Sequence, residues 1–470
     1  MKKTILLTII ALFASASVYA QTAIVTMTTA KSVGETLNIT TSWTGAGSVT
    51  ANGVTMNNST SSSTSVPVPV GGKIELIATG NVSLTTLVCN YNQLTTLDVS
   101  SNTALTALYC FNNQLTMLDV SNNTKLEWLD CYGNLLTALD VSNNTKLEWL
   151  LCSNNRLTAL DVSNNTKLEW LHCHTNLLTA LDVSNNMKLE WLFCSNNRLT
   201  ALDMSNNTAL TALYCFNNQL TALDVSNNTA LTELYCYDNH LSALNVSSCP
   251  ALIALGCSNN QLTTLDVSNN TELTSLHCSS NRLATLDVSN NIELTSLSCS
   301  NNQLTSLNLS GCNTLEYVLA GGQRITISLA ADAASFLNPI YYHNQTAIEN
   351  VRINGMPYAQ GEAVAIPAGI TELTFTSTAI GSDYYGDESP FCGTITFVPN
   401  TAVDNVNTAA VKVYSTASGI EVHNAPISAS VEVYTLNGIL ITRTTETVIP
   451  LSHTGVYIVK VGDYVTKVVN

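Results

Sequence analysis

Residues 126–146 read Leu-Glu-Trp-Leu-Asp-Cys-Tyr-Gly-Asn-Leu-Leu-Thr-Ala-Leu-Asp-Val-Ser-Asn-Asn-Thr-Lys. The same 21-residue sentence, with small changes, is written eleven times between Leu84 and Thr314. Its cysteines keep the period without a slip: Cys89, Cys110, Cys131, Cys152, Cys173, Cys194, Cys215, Cys236, Cys257, Cys278 and Cys299. An asparagine stands three residues after each, from Asn92 to Asn302, and a leucine two residues further on, from Leu94 to Leu304.

A fixed short period with this pattern predicts leucine-rich repeats stacked into a right-handed solenoid, mainly β, with few or no helices. One copy alone buries too few leucine, cysteine and valine side chains to offset the entropy of ordering its backbone. Stacked copies close that gap by pairing strands and making each core continuous with the next. At roughly 4.8 Å per strand, eleven copies make a curved slab about 50 Å long. The Leu-x-Cys segment is read as a short strand of a parallel sheet on the concave face. By its period-2 alternation Leu87 and Cys89 point in, while Val88 and Asn90 point out. A 21-residue period leaves little room for a helix on the return path, so turns, 3-10 pieces or extended segments are expected there. The asparagine after each cysteine is expected to turn inward and bind backbone groups otherwise buried unpaired.

Outward from the repeats, the copy that begins at Leu315 decays: Ala320 replaces cysteine, Gln323 asparagine and Ile325 leucine, as in a capping repeat. The expected division is a signal peptide at 1–20, an N-terminal β cap unit at 21–83 and the solenoid at 84–326. An immunoglobulin-like β-sandwich at 327–400 and a closing β-sandwich at 401–470 follow. The leader is read from Lys2 and Lys3, the apolar run Ile5–Phe13 and the Val18-Tyr19-Ala20 cleavage site. Gln21 in place of cysteine argues against a lipid anchor there. The leader run is too short to span a bilayer and no other stretch would serve, so a transmembrane segment is not expected. Removing Lys2 and Lys3 leaves 15 basic residues against 33 acidic ones, a net charge of −18 that repels phosphate backbones and anionic lipid. Nucleic acid is excluded as a partner on that ground.

Fourteen cysteines in an exported chain would ordinarily suggest disulfides. Here eleven share one inward position, where neighbouring parallel strands would bridge only with strained geometry. A dry column of free thiols is expected, with bridges or bound metal as the other reading. Cys249, Cys312 and Cys392 fall outside that column, too far apart to pair.

The repeat sentence resembles the internalin J-like cysteine-ladder repeats of bacterial leucine-rich repeat surface adhesins, over roughly residues 84–326. The Leu-Pro-x-Thr-Gly signal is missing, so cell-wall anchoring does not carry over. The C-terminal segment resembles the type A sorting domain of the type IX secretion system. The matching residues are Val431-Glu-Val-Tyr-Thr-Leu-Asn-Gly438, Gly455-Val-Tyr-Ile-Val-Lys460 and Lys467-Val-Val. The usual Tyr-Pro-Asn-Pro opening is here Tyr414-Ser-Thr-Ala, which departs from the pattern. The resemblance implies passage across an outer membrane by the secretion and sorting machinery, and display at the cell surface or release.

The outward positions of the repeat strands concentrate rings. Trp128, Trp149, Trp170 and Trp191 occupy one position in four consecutive copies, leaving only Trp43 elsewhere. Tyr109, Tyr132, Phe193, Tyr214 and Tyr235 flank the cysteines, as do Phe111, His172, His174, Phe216 and Tyr237. Exposed rings gathered in one patch mark a binding surface. Rings at strand spacing also stack and stabilise a sheet, and duplication would copy a tryptophan with its repeat. The binding reading gives an adhesin for a protein or glycan on host or neighbouring cells. The alternatives are a surface spacer without a specific ligand and a glycan-degrading enzyme using Asp130, Glu233 and Asp238. No cofactor is implied, and a monomer is expected.

Three smaller patterns accompany the rings. The columns Lys125, Lys146, Lys167, Lys188 and Glu127, Glu148, Glu169, Glu190 form a solvated edge in which opposite charges offset like-charge repulsion. The Asp column (Asp98, Asp119, Asp140, Asp161, Asp182, Asp203, Asp224, Asp266, Asp287) either accepts from backbone N–H two residues on or binds calcium. His172 and His174 share a face at a spacing compatible with metal, yet without a third ligand nearby.

Overall fold

The computed structural model describes residues 23–329, 335–344, 347–367, 370–382, 388–399 and the C-terminal strands between 412 and 469. The leader at 1–20, the linker at 400–411 and the Asp/Tyr-rich residues 383–387 lie outside them, as do parts of the C-terminal motifs.

Every described element is a strand or a turn. Each repeat after the first contributes a three-residue strand to one parallel sheet, such as Trp128–Asp130, Trp149–Leu151, Trp170–His172 and Trp191–Phe193. Neighbours pair parallel and in register, Trp128 opposite Trp149 and Leu129 opposite Leu150. The ladder continues past the formal strand: the Cys131 amide donates to the Leu151 carbonyl at 2.9 Å. Alternation sorts the side chains as the leucine and cysteine spacing requires. Leu129, Leu150, Leu171, Cys131, Cys152 and Cys173 are fully buried, while the tryptophans between them are half-buried. This is a leucine-rich repeat solenoid.

Two residues after each ladder cysteine the backbone turns through the left-handed region. Asparagine, which tolerates that conformation, fills the position at Asn112, Asn154, Asn196, Asn217, Asn259 and Asn301; glycine does so at Gly133 and Gly322. The next residue is the inward asparagine, and its amide is fully used. Asn176 Nδ2 donates to the Cys152 and Cys173 carbonyls at 3.1 and 3.0 Å, and its Oδ1 accepts from the Leu157 amide at 3.0 Å. Gln323 does the same at the last turn, through Cys299, Ala320 and Leu304. The degenerate copy therefore continues the ladder.

A second asparagine ladder runs along the return path. Asn144 Nδ2 donates to the Val120 and Asn123 carbonyls at 3.0 and 2.9 Å, and the pattern repeats from Asn123 to Asn291. Cys249 and Cys312 are members of this ladder, not strays. Each thiol faces the two carbonyls that an asparagine would bind, Val225 and Asn228 for Cys249 and Val288 and Asn291 for Cys312.

All fourteen cysteines are unbridged. Burial pushes the ladder thiols up to about 12 at Cys89, Cys194, Cys257 and Cys299, so they stay protonated and unreactive.

Strand Thr36–Thr44 pairs antiparallel with Ser83–Val88 beside the first turn, and Ala23–Thr29 pairs antiparallel with Leu94–Asp98. Asn38 exchanges two hydrogen bonds with the Asn92 side chain, which closes the first rung. Trp43 is buried in this unit. At the other end Ser306–Asn308 pairs parallel with Tyr341–Asn344, and Tyr317 pairs with Ser382 on the long strand Glu372–Ser382. Phe336, Tyr342, Phe375 and Phe391 join the hydrophobic core that begins at Val25, so the core is continuous from cap to cap. A separate unit spans Pro399–Asn470. Its sheets, one of three strands and one of four, enclose Ile420, Val422, Val431, Val433, Ile449, Tyr457, Val459 and Val461.

Among the described residues no helix is long and apolar enough to cross a membrane.

A ribbon of rings on the sheet face as candidate functional site

The outward residues of the parallel sheet fall in three columns, at one and three residues before the cysteine and one after it. Strand register aligns Trp128, Trp149, Trp170 and Trp191 in one of them. The Trp149 and Trp170 rings stack with centroids 5.0 Å apart and planes 10° apart; Trp170 and Trp191 are at 4.7 Å and 13°. These spacings are those of adjacent strands, so the rings stand on edge, each face against the next. Tyr109 joins at Trp128, with centroids 5.6 Å apart. Beyond Trp191 the line steps sideways to Phe193 at 5.7 Å, then runs through Tyr214 at 4.2 Å and Tyr235 at 4.8 Å. Eight of the nine residues expected to bind thus form one unbroken ribbon. The step sideways follows from the sequence: Ala212 and Glu233 end the tryptophan column, while rings continue one column over.

Tyr132 stands off the ribbon. Its hydroxyl accepts from Asn154 Nδ2 at 2.7 Å and its ring lies 6.5 Å from His174. His172 belongs to the ribbon's flank, stacked on Phe193 at 4.3 Å and 8°. Burial and the neighbouring His174 lower its pKa to about 4, so it is a neutral stacking partner near pH 7. Among the described residues no three His, Cys, Asp or Glu side chains converge on one point.

Two carboxylates lie within the patch. Burial raises the Asp130 pKa to about 6, against a smaller opposing hydrogen bond from the Tyr132 amide. Glu233 accepts from the Tyr214 hydroxyl, whose own pKa burial and this bond raise. Asp130 is five repeats from Glu233 and Asp238, about 24 Å at strand spacing, beyond the reach of a paired-carboxylate mechanism.

The Lys and Glu columns beside the tryptophans form no ion pairs among the described residues, whereas Lys73 and Glu75 close to 2.6 Å. Exposed lysine and glutamate gain too little in water to hold one geometry. On the return path each Asp accepts the amide two residues on, as with Asp140 and Ser142 at 2.9 Å. Hydrogen bonds from the Ser142 and Ser163 hydroxyls, with those from their amides, hold the Asp140 and Asp161 carboxyls below their ordinary range.

A family model for the LVIVD repeat matches residues 213–239. No curated protein matches the chain. Among solved structures, the functional domain of InlJ from Listeria monocytogenes, titled as including a cysteine ladder, is 28% identical. That match covers 67% of this chain and 90% of that one, with a TM-score of 0.40. The internalin inlF of Listeria monocytogenes is 23% identical over 50% of this chain and 86% of that one, with a TM-score of 0.43. YopM, a leucine-rich effector protein from Yersinia pestis, is 25% identical over 48% and 74%, with a TM-score of 0.39.

Proposed function

We propose that the protein is an exported adhesin whose sheet face holds a polypeptide on host or neighbouring cells by equilibrium recognition, without bond chemistry. The observation that carries this reading is the ribbon from Tyr109 to Tyr235. A rigid row of large, half-buried rings offers contact area at low entropic cost, which is how binding hot spots are built. Its geometry also favours one ligand class. Trp170 is stacked on both faces, by Trp149 and by Trp191, so a ligand over the middle of the row meets the rims of the stack. A sugar stacks on a free ring face, whereas protein side chains pack against ring edges and indole rims. The ligand is therefore a protein surface. In this reading the Pro399–Asn470 unit serves the secretion and sorting machinery, and the solenoid is displayed at the cell surface or released.

The test uses the double variant Trp149→Ala/Trp170→Ala, which leaves every core leucine and cysteine in place. Wild-type protein should bind intact cells, lose binding when the cells are treated with protease and keep it after glycosidase treatment. The double variant should bind at least tenfold more weakly with an unchanged cooperative fold. Equal binding by the variant would place the site elsewhere.

The mutual stacking of the rings favours one other reading, a spacer whose repeats set length and stiffness only. Removing residues 147–188, two whole copies, separates the two. A spacer tolerates the loss, while an epitope centred on Trp149 and Trp170 does not.

A further inference from the structure

The sheet face changes character after Tyr235. Its outward residues become small and hydroxylic, and among them lies a cavity of about 320 Å³ lined by Ser258, His277, Ser296, Ser298, Tyr317 and Leu319. We infer that this cavity is a second recognition site, separate from the ribbon, for a neutral saccharide.

Three features of the cavity point to that chemistry. Its apolar wall is available: Tyr317 is 45% exposed and Leu319 40%, and among the described residues no ring stacks on Tyr317. This is the reverse of Trp170, whose two faces are occupied. Beside the ring, on the neighbouring parallel strands, stand hydrogen-bonding groups. His277 Nε2 lies 3.5 Å from the hydroxyls of both Ser275 and Ser296, and the Ser298 hydroxyl is 2.7 Å from that of Ser279. Serine hydroxyls and a neutral imidazole both donate and accept, which suits the alternating donors and acceptors of a sugar's hydroxyls. Burial keeps His277 below its ordinary pKa, hence uncharged near pH 7.

The third feature is the lack of charge, since among the described residues no Asp, Glu, Lys or Arg lines the cavity. A phosphate, carboxylate or ammonium ligand would find no counter-charge there, whereas a polyhydroxylated ring with one apolar face needs none. The volume is at the lower end of the roughly 300–1,000 Å³ typical of small-ligand sites. That matches a short terminal saccharide, not a long chain.

Saturation-transfer NMR on the full chain tests the assignment, with lactose, maltose, cellobiose and N,N′-diacetylchitobiose as neutral probes and 3′-sialyllactose as the charged one. At least one neutral disaccharide should take up saturation. Tyr317→Ala and Ser298→Ala should each weaken it tenfold or more, and Tyr91→Ala, an exposed ring at the far end, should leave it within twofold. Thermal unfolding of each variant checks that the solenoid is intact. The assignment is overturned if no neutral probe is saturated, if the signal survives Tyr317→Ala, or if only the sialylated probe binds.

Discussion

Thr175 occupies a backbone position that suits it poorly. Its φ is 55°, in the left-handed region where most copies carry asparagine or glycine. A β-branched residue there is strained, at a cost on the order of 1–3 kcal/mol. Thr175→Asn should therefore raise stability by about 1 kcal/mol, read as a shift in the urea midpoint; an unchanged midpoint would show that the turn absorbs the strain. Asp130 gives a pH-dependent case. Its pKa is raised to about 6 in the folded chain from a usual 3.8, so the fold favours its protonated form. That contribution is present at low pH and is lost as pH rises through the window between those values. Asp130→Asn should stabilise the protein at pH 7 and progressively less toward pH 4, because the protonated acid and the amide are then alike in charge. A gain that is flat with pH would remove desolvation as the cause. Asp130 was singled out in the sequence as an outward carboxylate, and Thr175 was not. The left-handed turn itself was not read, although the recurrent asparagine two residues after cysteine was its signal.

The repeating elements are held by two amide ladders, and only one of them was anticipated. The inward asparagine after each cysteine was legible, since a polar residue at a fixed place in an apolar pattern must satisfy backbone groups. The second ladder was hidden in Val-Ser-Asn-Asn, where two adjacent asparagines look alike and only one enters the interior. Asn143 Nδ2 donates to the Ser121 carbonyl at the exposed surface, while Asn144 is fully buried. Cys249 interrupts that ladder with a thiol 3.6 and 3.5 Å from its two carbonyls. Thiols are weak donors, and two amide hydrogen bonds in their place are worth about 1 kcal/mol each. Cys249→Asn should accordingly raise the melting temperature. A lower one would mean that the Pro250 turn does not admit the longer side chain.

Across the whole molecule the repeats are interchangeable in their cores, since the buried leucine, cysteine and asparagine positions recur with the same partners. Deleting residues 147–188 should leave a cooperatively folded solenoid whose urea m-value is lower by about a tenth, in proportion to the surface no longer exposed on unfolding. Loss of the single transition would show that particular copies, not their number, hold the stack together. The caps are less exchangeable, because Asn38, Asn92 and Gln323 finish ladders that would otherwise end on unpaired backbone.

What the sequence determined by itself was the period, the parity and therefore the face. Once leucine and cysteine alternate on a three-residue strand, the residues between them must look outward, and their identities can be read column by column. What only the tertiary structure decided was which of those residues meet. Contact between columns depends on ring orientation and on the offset between neighbouring strands. Neither is encoded in a single copy of the repeat. So the tryptophans were found together, but the separation of Tyr132 and the cavity under Tyr317 emerged only once the strands were stacked.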